Sequence, residues 1–171
     1  MKLQSVNIKG DDLRPPAIPP GLVLVQDTRE QQPLFRDMHL DGLPLVSATL
    51  SCGDYSLRGF EERFVVERKK VSDFYSYIGK ERARTLQKMA RFKEIAASGG
   101  FVGLVIEATE EDILSGFIMS RVSPEAARQA LVSFELRYGV HIYYSRSRRD
   151  IARWVLDRAV KFYRIQREVA K

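Results

Sequence analysis

Short apolar runs recur along the chain and predict six β-strands. FVGLVIE is the most apolar of these runs, which favours a central position in a sheet. The run FVVER is a further predicted strand, along which residues 65, 67 and 69 share one face. The predicted strands cover residues 22–26, 45–50, 55–57, 64–68, 101–107 and 140–144.

A long segment after the fourth strand has apolar residues at helical spacing. Ser72 can cap a helix there, and Asp73 places an acid in its first turn. The helix is predicted to run to about Ala97, because Gly99 and Gly100 follow and end it. Its expected buried positions are Phe74, Ile78, Leu86, Met89, Ala90 and Phe92.

Two further helices are marked by their ends. Ser123 followed by Pro124 is a helix start, and Gly139 is its stop. The last helix begins at Ser147 and carries its apolar face at Ile151, Val155, Ala159 and Phe162. Because strands alternate with helices, the sequence predicts an α/β fold with a mixed central sheet flanked by helices on both faces.

The composition limits the classes of function. No stretch of eighteen apolar residues occurs and the first residues lack an apolar run, so neither a membrane span nor a secretory signal is expected. Cys52 is the single cysteine, which excludes a disulfide and a cysteine-rich zinc site, and Cys52 is expected to be a small buried residue. With only two histidines, any metal is expected to be held by carboxylates, which favours Mg²⁺ or Mn²⁺.

The first 21 residues differ from the rest. They are polar and then rich in proline, so residues 1–21 are expected to form a flexible arm. Residues 22–171 have the length of one ordinary domain with one core.

Positive charge is concentrated in two segments. The net charge is +6, yet residues 68–93 carry nine basic and two acidic residues, and residues 137–171 carry ten and three. Two basic segments around an acidic remainder favour a surface for a polyanion. The alternative is two ordinary solvated helix faces.

Three carboxylates and one lysine are candidates for chemistry. Glu67 and Lys69 are two apart on a predicted strand, so their side chains leave the same face. A hairpin would bring Asp54 beside Glu67, and Asp27 ends the first strand. Paired carboxylates repel unless a divalent cation lies between them, and Lys69 can orient water or stabilise developing charge.

The same residues also have plain structural explanations. Glu67 and Lys69 would then form a surface ion pair worth less than about 1 kcal/mol. Asp54 would be a turn residue after glycine, and Asp27 would only end its strand. The chain contains no glycine-rich phosphate loop, dinucleotide fingerprint or serine elbow that would point to another chemistry.

The order of these motifs resembles the nuclease domain of the XPF family, which includes the archaeal Hef nucleases. That family shares a GD…ERKxxxD pattern with an upstream DxRE. The chain carries Asp27-Thr28-Arg29-Glu30, then Gly53-Asp54, then Glu67-Arg68-Lys69 with Asp73 four residues on. The resemblance spans about residues 22–165.

The resemblance implies a restriction-endonuclease-like core and metal-dependent cleavage of branched DNA in repair or recombination. It implies metal ligation by Asp27, Asp54, Glu67 and the main-chain carbonyl of Arg68, with Lys69 as the catalytic lysine. Arg29 and Arg68 would hold the site or touch phosphate.

Three further acids lie near these motifs in the sequence, and two of them have two possible roles. Asp73 would anchor the site without touching the metal, or serve only as a helix first-turn acid. Glu30 would be a fourth acid near the metal, or the partner of an arginine. Glu107 is expected to be a structural acid at a strand end.

DNA is the partner that the resemblance implies. The basic residues expected to grip its phosphates are Arg82, Arg84, Lys88, Arg91, Arg149 and Arg153. The resemblance also suggests a homodimer, to which Trp154, Phe162 and Tyr163 would contribute unless they belong to the core, and a further protein supplying junction preference. A cytoplasmic location follows as an expectation: nucleoid-associated in a bacterium, or in the host cytoplasm for a phage protein.

Two other functions are consistent with the sequence. One is a non-catalytic DNA-binding or dimerisation module of the same fold, against which the intact acidic set argues. The other is a nuclease acting on RNA or single-stranded DNA, since the phosphodiester chemistry is the same.

Overall fold

The computed structural model describes residues 16–35 and 43–169. Within these ranges six strands and five helices follow one another in an α/β order. The strands are β1 (Leu24–Asp27), β2 (Leu45–Ala48), β3 (Tyr55–Leu57), β4 (Phe64–Lys70), β5 (Phe101–Glu107) and β6 (His141–Tyr144). The helices are α1 (Val71–Ile78), α2 (Arg82–Ala97), α3 (Glu110–Leu114), α4 (Pro124–Tyr138) and α5 (Arg148–Val169).

All six predicted strands are present, and they form one mixed sheet in the order β2-β1-β3-β4-β5-β6. β3 is antiparallel to both of its neighbours, whereas β4, β5 and β6 run parallel to one another. β4 and β5 therefore lie inside the sheet, as their apolar sequences require. The predicted α/β fold with a mixed central sheet is confirmed.

Helices cover both faces of the sheet, as predicted. α5 packs on one face, where Phe64 and Val66 of β4 meet Val155 and Phe162. α1, α2 and α4 pack on the other face with Val65. Because side chains alternate along β4, Glu67 and Lys69 share the side of Val65, while Arg68 lies on the side of α5. Trp154, Phe162 and Tyr163 are buried in the α5 core.

The long helix predicted from Ser72 to Ala97 is wrong, because the segment forms two helices. Gly79 leaves the helical conformation, with φ −102° and ψ −106°. A side chain there would approach the Tyr75 carbonyl within 2.8 Å, so the glycine permits the break. Ser72 is not the cap either: α1 follows β4 directly, with Lys70 at the cap position and no side-chain cap bond.

The break also changes which face of α2 is buried. Thr85, Met89 and Phe92 form the buried stripe. The predicted core positions Leu86 and Ala90 are therefore exposed, because they lie beside that stripe.

The predicted start and end of α4 and the predicted start of α5 are confirmed. Ser123 accepts a hydrogen bond from the Ala126 N–H, and Gly139 adopts the left-handed conformation with φ +66°. Ser147 accepts from the Asp150 N–H at 3.2 Å. Helix α3 has no counterpart among the predictions, although the capping box formed by Thr109 and Asp112 marks its start.

Part of the predicted arm lies against α5. Residues 1–15 are outside the described ranges, whereas the Ala17 carbonyl accepts a hydrogen bond from Arg164 at 2.9 Å. Ile18 packs on the α5 core. None of the helices in the described ranges combines the length and apolar character that a membrane span needs.

Candidate active site

A hairpin brings Asp54 and Glu67 together, as predicted. The Asp54 N–H donates to the Val66 carbonyl at 2.8 Å, and Asp54 Oδ2 accepts from the Arg68 N–H at 2.7 Å. Gly53 makes this close approach possible: it has φ +79°, and a Cβ would come within 2.6 Å of Val65. Asp54 is thus held between the residues that flank Glu67.

Glu67 is a buried carboxylate with an incomplete set of partners. Its side chain is 2 % exposed, and its Oε1 accepts from Lys69 Nζ at 2.5 Å and from Lys88 Nζ at 2.8 Å. Its Oε2 is buried and has no hydrogen-bond partner. Burial alone would raise the pKa of Glu67, but the two ammonium groups outweigh it and hold the pKa below its usual value. The explanation as a surface ion pair does not apply to this pair.

The pKa of Asp54 is shifted in the opposite direction to that of Glu67. Burial, and then the charge of Glu67, raises the pKa of Asp54 to about 7, although Lys69 and the Arg68 N–H act against the rise. Two neighbouring carboxyl groups whose pKa values are driven apart are typical of functional sites. A cation between them would favour the ionised form of both.

Asp27 lies next to this pair with both oxygens engaged. Its N–H donates to the Asp54 carbonyl at 2.8 Å, which places β1 beside the hairpin. Arg29 donates to both carboxylate oxygens, through Nε at 2.7 Å and NH2 at 2.9 Å. The Leu50 N–H also donates a hydrogen bond to Oδ2, at 2.7 Å. These bonds, led by Arg29, lower the pKa of Asp27 to about 2. Asp27, a predicted metal ligand, therefore lies beside Asp54, and its carboxylate is bound by Arg29.

Arg68 forms a buried ion-pair network on the opposite face of β4. Its guanidinium binds both oxygens of Glu30, at 2.9 and 2.7 Å, and Glu107 Oε1 at 2.7 Å. Arg148, at the start of α5, reaches the same Glu107 oxygen at 2.6 Å. Glu30 is therefore the partner of an arginine, and Glu107 is a structural acid at the end of its strand. The network fixes the main chain between Glu67 and Lys69.

Asp73 and Cys52 have simpler surroundings. Asp73 is exposed in the first turn of α1, where the Ser72 hydroxyl lies 3.3 Å from its Oδ1. This position suits the helix dipole. Cys52 is buried, and burial raises the pKa of its thiol, so it has the features of a small core residue.

The residues predicted to bind DNA fall into two groups on the structure. Arg82 and Arg84 are exposed near the start of α2, and Arg91 binds Ser51 and Glu62. Lys88 is different, because it points into the site. On α5, Arg149 is exposed and Arg153 pairs with Asp157 at 2.8 Å.

Tyr77 is a site residue that sequence reasoning missed. The Lys69 and Lys88 ammonium groups lie 5.1 and 5.8 Å from the centre of its ring. Its hydroxyl is buried without a hydrogen-bond partner. The residue belongs to the apolar stripe of α1, so its helical spacing indicates burial and gives no signal of the two lysines above it.

The donor set fits a divalent cation in its chemistry. Within the described ranges no three acidic, histidine or cysteine side chains are already arranged around a common point. The orphaned Glu67 Oε2 and the perturbed Asp54 are nevertheless oxygen donors of the type that Mg²⁺ and Mn²⁺ prefer. Asp27 would have to exchange contacts with Arg29 to join them.

Asp54→Asn is expected to stabilise the metal-free protein strongly at pH 8 and clearly less at pH 5. The folded-state pKa is about 7, above the unfolded value, so wild-type protein loses stability as pH rises towards 7 and Asn does not. The rise from 3.8 to about 7 corresponds to on the order of 4 kcal/mol at pH 8. Urea denaturation in EDTA at the two pH values measures the difference, with the exposed Asp73→Asn as control. An equal effect of Asp54→Asn at both pH values would contradict the assignment.

The mixed sheet, with Asp54, Glu67 and Lys69 close together at the open end of its central hairpin, has a restriction-endonuclease-like fold. A family model for the ERCC4 domain matches residues 26–157, and the chain belongs to this family.

Solved structures agree with this assignment. XPF from Aeropyrum pernix matches with a TM-score of 0.63 and 20% sequence identity, covering 80% of this chain and 59% of that one. The same protein in complex with DNA gives a TM-score of 0.61 and 19% identity, covering 84% and 65%. The chain thus spans roughly three fifths of the solved protein's length, and the likeness establishes the fold. Comparison with curated proteins gives no significant match.

Proposed function

We propose that the chain is a divalent-metal-dependent endonuclease that hydrolyses phosphodiester bonds in DNA, with branched or flap structures as its substrates. Membership of the ERCC4 domain family supports a DNA nuclease class. The observation that carries the proposal is Glu67, which is buried within the central strand β4, has one unpartnered oxygen and lies beside Asp54 and Lys69.

The residues of the chain have distinct roles in this proposal. Asp54 and Glu67 would hold Mg²⁺ or Mn²⁺, joined by Asp27 and the Arg68 carbonyl. When bound, the ion supplies a Lewis acid for the phosphate and lowers the pKa of water. Lys69, 2.5 Å from Glu67 Oε1, stabilises the negative charge that grows on the attacked phosphate. Arg29, the exposed cation next to Asp27, would contact a phosphate.

The basic surfaces would hold the DNA strands on either side of this site. Arg82 and Arg84 on α2, and Arg149 on α5, are exposed cations of the kind that contact phosphates without reading sequence. The A. pernix protein in complex with DNA supports this part of the proposal by its fold. Branch preference, homodimer formation and a protein partner rest on the family resemblance.

A cleavage panel tests the function. Labelled duplex, single strand, splayed arm, 3′ flap, four-way junction and RNA are incubated with Mg²⁺, Mn²⁺ or EDTA. We expect cutting of branched DNA with either ion and none in EDTA. Binding to DNA without cutting in either ion would favour the non-catalytic module instead, and cutting of RNA or single strands alone would reassign the substrate.

A further inference from the structure

Lys88 reaches the candidate active site from a different element than the residues of the recognised motif. It lies in the middle of α2, and its ammonium group is 2.8 Å from Glu67 Oε1. The same oxygen already accepts from Lys69 at 2.5 Å. Both ammonium groups lie above the Tyr77 ring. Two cations from separate elements therefore converge on one carboxylate oxygen.

Structural neutralisation of Glu67 does not account for this arrangement. Lys69 already supplies one ammonium group to Glu67 and also faces Asp54, so Lys88 is a second cation on the same carboxylate. A structural pair would also be expected to use both oxygens, yet Oε2 is buried and unpartnered. Glu67 therefore does not depend on Lys88 for its charge balance, and the Lys88 ammonium group can bind an anion at the mouth of the site.

The two lysines differ in how open they are to the outside. The Lys88 side chain is 30% exposed and that of Lys69 is 18% exposed. Lys88 is therefore the outer of the two cations. It also continues outward along α2, because Arg84, four residues earlier, and Arg91, three residues later, share its side of the helix. Arg91 donates a hydrogen bond to Ser51 at 2.9 Å, and Ser51 is two residues before Gly53.

We propose that Lys88 is a phosphate-binding residue of this active site, which holds a DNA phosphate at its mouth while Lys69 remains inside on Glu67. This inference rests on the proposed nuclease function and adds a second lysine to its site. The ligand is a phosphodiester oxygen, for which an ammonium group is a compact charged donor. In this arrangement Arg84 extends the same cationic path along the strand that enters the site.

Lys88→Met is compared with Lys93→Met, a matched control on the same helix. Lys93 is exposed and, five residues further on, leaves α2 in a different direction. Lys88→Arg keeps the positive charge. Thermal unfolding confirms that each variant is folded, which is expected because Glu67 retains Lys69.

Affinity for a short DNA duplex in EDTA decides the proposal without any reaction. We expect Lys88→Met to weaken binding at least about fivefold, Lys88→Arg to recover most of the loss, and Lys93→Met to stay within about twofold. Lys88→Met binding as tightly as Lys93→Met would overturn the proposal, whether or not the wild-type chain cleaves DNA.

A second pair of measurements separates phosphate binding from support of Glu67. Single-turnover cleavage by Lys88→Met is expected to fall about 10- to 100-fold. Its Mn²⁺ affinity in calorimetry without DNA should be unchanged or higher, because a cation next to Glu67 has been removed. A large loss of Mn²⁺ affinity would make Lys88 a support for Glu67 and overturn the proposal. Absence of cleavage by the wild-type chain would count against the proposed function and leave the binding test to decide on Lys88.

Discussion

Glu67→Gln is expected to reduce DNA cleavage by about 10³-fold or more while leaving DNA affinity within a few-fold of wild type. Glu67 is the innermost acid of the site, and Gln keeps its shape but removes the charge that would hold the cation. Affinity should change little because it depends on the basic surfaces outside. Single-turnover cleavage of the preferred substrate in Mg²⁺, together with binding in EDTA, measures the two effects.

A matched variant distinguishes this effect from a general loss of carboxylate charge. Glu62→Gln removes an acid that is 63% exposed and pairs with Arg91 on the surface, so its cleavage should remain close to wild type. Asp54→Asn should lose activity as Glu67→Gln does. Full activity in both Glu67→Gln and Asp54→Asn would show that the site has been assigned to the wrong residues.

The parts of the site that the sequence predicts are those fixed by local geometry. Alternation along β4 puts Glu67 and Lys69 on one face whatever packs against them. The glycine turn before Asp54 leads into a hairpin whose strands must lie side by side, so the Asp54–Glu67 pair follows from neighbouring segments. The six strands are found for the same reason, since each apolar run is long enough to identify its own element.

The parts that the sequence does not predict depend on contacts between distant elements. The approach of Lys88 to Glu67 requires the break at Gly79, which sets the rotation of α2 against the sheet. From helical spacing alone, Lys88 would be predicted to be a cation on the surface. The ion pair of Arg29 with Asp27 is likewise not predicted, because the Asp27 carboxylate can have either a guanidinium group or a metal ion as its partner. Sequence spacing contains no information about that choice.

Arg68 provides the largest stability effect expected outside the core. Arg68→Met should destabilise the protein by about 3–5 kcal/mol, because it leaves Glu30 buried and without its arginine. The side chains of Arg68 and Glu30 are only 9% and 6% exposed, so water cannot replace the lost bonds. Glu107 suffers less, since Arg148 still binds it. Urea denaturation at pH 7 measures the change in unfolding free energy.

Two companion variants make the Arg68 prediction specific. Arg91→Met breaks the exposed pair with Glu62 and should cost less than about 1 kcal/mol. Arg68→Met combined with Glu30→Gln should recover part of the loss, because the uncompensated buried charge is then gone. Because Arg68 lies between Glu67 and Lys69 in β4, the single variant should also loosen the main chain that carries them and lower cleavage. A change within 1 kcal/mol of wild type for Arg68→Met would mean that the network does not hold this strand in place.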